Sequence, residues 1–232
     1  DNATHQKMAC GDPKAMAKVA ILDPELTLSQ PPRVTACTGI DAIAHAVETA
    51  VTRKRNETSL KYSRAAFQIM LESFSRVLES PDDLHARGQM LLGAAYAGTA
   101  IEHSMLGAAH SAANPLTAHY NVVHGQAVGM MLPHVVRFNA DDAAIAEAYA
   151  EFVEGTSVAA TNGTPAPESL ARSLETILDI ACLPRDLTAF GVDAARLDLL
   201  SEEAAGQWTA SFNPRDITAG DFKGLYQKAF AS

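Results

Sequence analysis

From residue 31 onward the chain repeats one pattern almost without a break. Apolar side chains recur at helical spacing, and proline, glycine or an acid–hydroxyl cluster interrupts them at intervals. Residues 57–78 show it most clearly, with Leu60, Phe67, Ile69, Met70, Phe74 and Val77 at near-3.6 spacing. Thr38 followed by Asp41 resembles a capping box, so a helix is predicted from there to about Arg53. Ile43, Ala46, Val47 and Ala50 form its apolar face. Ser80-Pro81-Asp82-Asp83 opens a third helix, reaching about His103. Its small residues, from Gly93 to Ala100, allow close helix crossings and place it centrally. Further helices are predicted over 106–116, 124–138, 139–154, 168–182 and 221–230, with short ones over 184–205. A loop is expected over 117–123 and a Gly/Thr/Pro-rich linker over 155–167. With 232 residues, 47% of them apolar, the chain can bury a sizeable core. The predicted class is an all-α, multi-helix bundle.

Residues 1–30 differ. Two short apolar runs, 7–10 and 17–22, flank Gly11-Asp12-Pro13 and read as strand, turn, strand. Two strands alone do not make a stable sheet. They call for a partner, or for a second copy of this chain. The expected division is therefore a short N-terminal β segment over 1–30 and a helical domain over 31–232.

Formal net charge is −9, which disfavours nucleic acid and anionic membrane surfaces as partners. No apolar run approaches the roughly 20 residues that span a bilayer, and the first residues, DNATHQKMAC, carry no signal-peptide pattern. Cys10, Cys37 and Cys182 are odd in number and widely spaced, which points to reduced, mostly buried thiols and a cytoplasmic protein.

Chemistry concentrates in four residues. Asp41 and His45, in TGIDAIAHAVE, stand one helical turn apart and can point at one spot. His110 and His124 lie in LGAAHSAANPLTAHYNVVHG. One carboxylate and three imidazoles suit a divalent transition metal. Taken singly, each His reads better as a satisfied core or surface residue than as a ligand. An unpaired Asp41 on an Ala/Ile/Val helix is harder to dismiss, because a buried carboxylate is costly. Neither G-x-G-x-x-G nor G-x-x-x-x-G-K-S/T occurs. His103, His134, Met130 and Met131 read as structural, His5 and His85 as exposed. Ser104 and Ser111 lack the turn of a hydrolase nucleophile.

Three blocks carry a resemblance: PELTLSQPPRVTACTGIDAIAHAVE, LGAAHSAANPLTAHYNVVHGQAVGMMLPHVVRFN and NPRDITAGDFKGLYQKAF. In order and spacing they resemble the iron-containing (group III) alcohol dehydrogenase family. The resemblance implies a dehydroquinate synthase-like α domain, C-terminal to a nucleotide-binding domain. It also implies that Asp41, His45, His110 and His124 are metal ligands. Many members carry a proton-handling His one turn after the third ligand, where this chain has Asn114. An amide orients water or substrate but does not titrate. His119 and Tyr120, expected in the loop between two ligands, are candidates for proton carrier and substrate contact.

The family's nucleotide half has no counterpart in these residues, and 1–30 look like its last strands. On that reading NAD(P) is not expected to bind this chain alone. Metal-activated water would then hydrolyse activated esters or strained amides such as lactams. The first alternative is an NAD(P)-dependent alcohol dehydrogenase whose other half is supplied; the second is an inactive metal-binding remnant. Iron or zinc is expected, with manganese, cobalt and nickel compatible. A homodimer is expected through the surface the absent domain would cover.

Overall fold

Pro31 and Pro32 set the start of the first helix. Pro31 is extended, and Pro32 takes the first helical position, where its missing N–H costs nothing. In this computed structural model, which describes residue 14 and residues 17–159 and 163–230, α1 therefore spans Pro32–Thr49. Thr38 is not its cap. Thr38 lies in the helix interior, with its hydroxyl donating to the Val34 carbonyl at 2.8 Å.

The other α-helices among the described residues are α2 (Glu57–Glu79), α3 (Leu84–His103), α4 (Ala108–Tyr120), α5 (His124–Asn139), α6 (Ala143–Val153), α7 (Ala166–Ile180), α8 (Leu197–Ala205) and α9 (Ala219–Ala229). Short 3-10 turns join several of them. Local sequence explains most of the starts. Asn56 and Ser59 form a reciprocal capping box for α2, and Thr218 and Asp221 form one for α9. Asp83 and Asp142 cap α3 and α6 with their carboxylates.

The all-α class is what the structure shows. Among the described residues there is no strand. Residues 17–23 are irregular, and Val19, Ile21 and Leu22 are exposed. A strand needs a neighbour to pair its N–H and C=O groups, and no described segment offers one there. The other predicted strand, 7–10, lies outside the described residues, as does Cys10. Cys37 is buried as expected, but Cys182 is exposed. No helix among the described residues is long and apolar enough to cross a membrane.

The centre of the bundle is α5, not α3. Nearly every residue of α5 is buried, Pro133 included, and it packs on α1, α4, α7 and α9. α3 packs on α2 and α1 and keeps one side partly open. The small residues of α3 serve that local contact: a Cβ at Gly93 would sit 2.3 Å from Met70 Cγ.

The crossing of α5 over α1 depends on two glycines one turn apart. A Cβ on Gly125 would lie 2.0 Å from the Cys37 carbonyl oxygen and 3.1 Å from Asp41 Cβ. A Cβ on Gly129 would meet Ile40 Cγ2 at 2.5 Å. The absence of both lets the start of α5 lie directly against the turn of α1 that carries Asp41.

Candidate metal centre

Three segments bring the candidate ligands together. α1 contributes Asp41 and His45 from one face. α4 contributes His110 from its first turn. The chain leaves α4 through Asn121 in the left-handed region (φ 52°), which asparagine tolerates, and re-enters a helix at His124. Asp41 Oδ1 lies 3.2 Å from His110 Nε2, 3.4 Å from His45 Nε2 and 4.0 Å from His124 Nε2. Asp41, His110 and His124 each offer a donor atom, and these atoms lie within 4.8 Å of one another. His45 joins the group through Asp41 and stacks on His110, with ring centroids 4.9 Å apart. His110 is buried; the others are partly exposed.

The electrostatics follow from that crowding. Burial alone would raise the Asp41 carboxyl. The hydrogen bond from His110 and the charges of His45, His110 and His124 outweigh it and hold the carboxyl well below the usual carboxylate range. Burial alone would lower the His110 imidazole, but Glu48 and Asp41 on either side push it up to about 9. The pocket is thus built to hold positive charge between two carboxylates. A carboxylate oxygen and imidazole nitrogens are suitable donors for a late divalent ion, so the residues fit one.

Glu48 was not singled out by the sequence reading, although it closes TGIDAIAHAVE. It lies two turns after Asp41 and one turn after His45, so helical spacing alone places it on the same face. Its carboxylate meets His110 Nδ1 at 2.5 Å and accepts the Ala109 N–H at 2.7 Å. Asn213 was missed as well, and sequence offers no comparable signal for it. It accepts the Ala108 N–H at 3.4 Å and exchanges side-chain hydrogen bonds with Asn139.

The three residues expected to carry catalysis fare differently. Asn114 lies one turn beyond His110, and its amide donates to Gln207 Oε1 at 3.0 Å. His119 and Tyr120 are not in a loop, because α4 runs on through Pro115 to Tyr120. His119 is nine residues beyond His110, on the opposite side of α4 and about 13 Å further along it. It pairs with Glu203 of α8 at 2.8 Å and meets Arg196 at 3.3 Å. The Tyr120 hydroxyl accepts the Asp193 N–H at 3.3 Å. The structure therefore brings Asp41, His45, His110 and His124 together and leaves His119 and Tyr120 outside that group. His134 is buried on α5, in keeping with a structural role.

Comparison with known proteins follows the same lines. The model of the "Fe-containing alcohol dehydrogenase family, C-terminal" matches residues 35–230. A long-chain-alcohol dehydrogenase of Geobacillus thermodenitrificans is 30% identical over 217 residues, covering 93% of this chain and 55% of the relative. An NADPH-dependent butanol dehydrogenase of Clostridium saccharobutylicum is 29% identical over 231 residues, covering 98% and 58%. Among solved structures, a 1,3-propanediol oxidoreductase superposes with a TM-score of 0.84 at 27% identity, covering 90% of this chain and 55% of that one. The chain thus spans a little more than half the length of the relatives it matches. These relatives are oxidoreductases of alcohols and diols. That overturns the expectation of ester or lactam hydrolysis: an open metal site permits such chemistry in principle, but none of these relatives performs it by name.

Proposed function

We propose, since the chain belongs to the Fe-containing alcohol dehydrogenase family and carries its C-terminal part, that it supplies the metal half of an NAD(P)-dependent oxidoreductase of alcohols and aldehydes. Asp41, His45, His110 and His124 would hold the divalent ion. The observation that carries this reading is the approach of three imidazoles from three chain segments to one carboxylate oxygen. Bound there, the ion supplies Lewis acidity towards an alcohol or carbonyl oxygen.

The chain's own residues do the rest. Asp41 is held ionised and contributes the only formal negative charge among the four ligands, so a divalent ion keeps net positive charge for a substrate oxygen. Asn114 offers an amide one turn from His110; it can hold a water or a substrate hydroxyl in place but cannot take its proton. Asn114 itself therefore carries no proton in the reaction. The named redox partner of one relative is NADPH, and that of another, a methanol dehydrogenase of Bacillus methanolicus, is NAD. Nicotinamide would give or accept the hydride.

The test is a chimera. The N-terminal part of the Escherichia coli lactaldehyde reductase, a relative at 30% identity, is fused ahead of this chain and assayed with NAD(P)H and short aldehydes. Activity that needs added Fe(II) or Zn(II) and disappears in His110→Ala is expected. A well-folded, metal-loaded chimera with no NAD(P)H oxidation above the His110→Ala background would refute the proposal.

A further inference from the structure

We propose that Glu48 is the positioning residue of the metal centre: it fixes the tautomer and direction of His110 and, through the same carboxylate, anchors the first turn of α4. The inference rests on the reading of Asp41, His45, His110 and His124 as a metal site.

Every α-helix begins with N–H groups that have no partner inside the helix. The residue at the cap position before α4 is Gly107, which has no side chain to offer them. Two side chains from elsewhere serve instead. Asn213 Oδ1 accepts from Ala108, and Glu48 Oε1 accepts from Ala109. Gly107 is the residue that leaves them room, since a Cβ there would lie 3.1 Å from Glu48 Oε1 and 3.3 Å from Asn213 Oδ1.

The other oxygen of Glu48 faces His110 Nδ1. A carboxylate only accepts, so Nδ1 must carry the proton. Nε2 donates to Asp41 Oδ1, 3.2 Å away, and faces the point where the other donors converge, so once that proton is given up its lone pair would be the one free to ligate. Glu48 is itself buried, so its carboxylate is held in place rather than averaged by water. One helix, α1, thus supplies two ligands and the partner that orients a third. A metal ligand of this kind usually donates its second ring N–H to a carboxylate or carbonyl.

Glutamine at this position separates orienting from merely filling space. It has the same shape but only one acceptor. If that oxygen serves His110, the amide NH2 faces the Ala109 N–H, donor against donor. If it serves Ala109, the NH2 faces Nδ1 and favours the tautomer whose Nε2 cannot ligate.

The experiment compares Zn(II) affinity of the 232-residue chain, Glu48→Gln and Arg137→Met, by competition with a chromophoric chelator at a temperature where all three are folded. Glu48→Gln is expected to bind about 10- to 100-fold more weakly, while Arg137→Met, which breaks the α5–α7 ion pairs far from the ligands, loses thermal stability but stays within about threefold of the parent affinity. The d–d spectrum of the Co(II)-loaded protein should change in Glu48→Gln alone. Equal affinity in the parent and Glu48→Gln overturns the role of Glu48 and leaves the metal site standing. If the parent chain binds no Zn(II), the metal site falls, and the role with it. If Glu48→Gln does not fold, nitrogen NMR of the Zn(II)-loaded parent decides. His110 protonated at Nδ1 and metal-bound at Nε2 is expected; ligation through Nδ1 overturns the inference.

Discussion

Gly125→Ala tests how strictly the α1–α5 crossing sets the metal centre. The added methyl would start 2.0 Å from the Cys37 carbonyl oxygen and 2.8 Å from its carbon. Both are helix backbone, so neither can swing aside as a side chain could. Ordinary contact begins near 3.4 Å, so the two helices must separate by about 1.4 Å at this level, within a core packed at near-crystal density. Overpacking of this kind costs about 1–3 kcal/mol and sometimes more. The upper end applies here, which for a chain of this size lowers Tm by roughly 6–12 °C. The functional effect should exceed the stability effect. His124 is the neighbouring residue, and Asp41 is on the facing helix. Metal–ligand distances tolerate only about 0.2 Å, so affinity should fall by about 100-fold or more. Gly98→Ala is the control: nothing lies within 4 Å of its Cβ position, so it should stabilise α3 by about 0.5–1 kcal/mol and leave metal binding unchanged. Differential scanning fluorimetry and Zn(II) competition on the two variants give the answer. Parent-like Tm and affinity in Gly125→Ala would refute the reasoning.

Other expectations follow from charge and hydrogen bonding. Burial, with Arg137 and Lys228 nearby and only Glu175 opposing, pushes the His134 imidazole down to about 4. Because the unfolded chain takes up that proton near pH 6.5 and the folded one does not, stability present above pH 6.5 is lost as pH falls towards 4, by at most roughly 3 kcal/mol. Chemical denaturation at pH 7 and pH 5 should show a smaller acid loss in His134→Gln; an equal loss would contradict this. Arg137 bridges Glu168 at 2.8 Å and Glu175 at 2.5 Å, tying α5 to α7. Arg137→Met leaves two carboxylates facing each other and should cost about 1–2 kcal/mol at low salt, less at high salt; a cost that does not change with salt would argue against an ionic origin. In the active chimera, Asn114→His should add a titrating group near pH 6.5 to the kcat profile, and an unchanged profile would place proton exchange elsewhere.

Helical periodicity and caps made most of the bundle legible in the sequence, and the α2, α5 and α9 boundaries were read to within a few residues. The errors have physical causes. Thr38 has a capping side chain, but Pro32 begins α1 because proline is already set for a first turn. A stripe of small residues made α3 look central, yet small residues record only how closely two helices approach, not where that contact sits in the bundle. The helix expected over 106–116 continues one more turn, to Tyr120, and carries His119 to Glu203 of α8 and Tyr120 to Asp193. At the metal centre, residue type and spacing singled out Asp41, His45, His110 and His124 as a possible metal site, and the family resemblance implied that they are its ligands. Glu48 was within reach of the same helical arithmetic. Asn213 was not, because its partners lie far away in sequence.

Metal stoichiometry tests the central claim most directly. The purified chain is stripped with chelator, titrated with Zn(II) or Fe(II) by calorimetry, and compared with Asp41→Ala and His110→Ala. One ion per chain is predicted, bound with proton release as His110 gives up its proton, and lost in both variants while their helical circular dichroism is retained. No binding by the parent chain, or binding equally tight in both variants, would contradict the account.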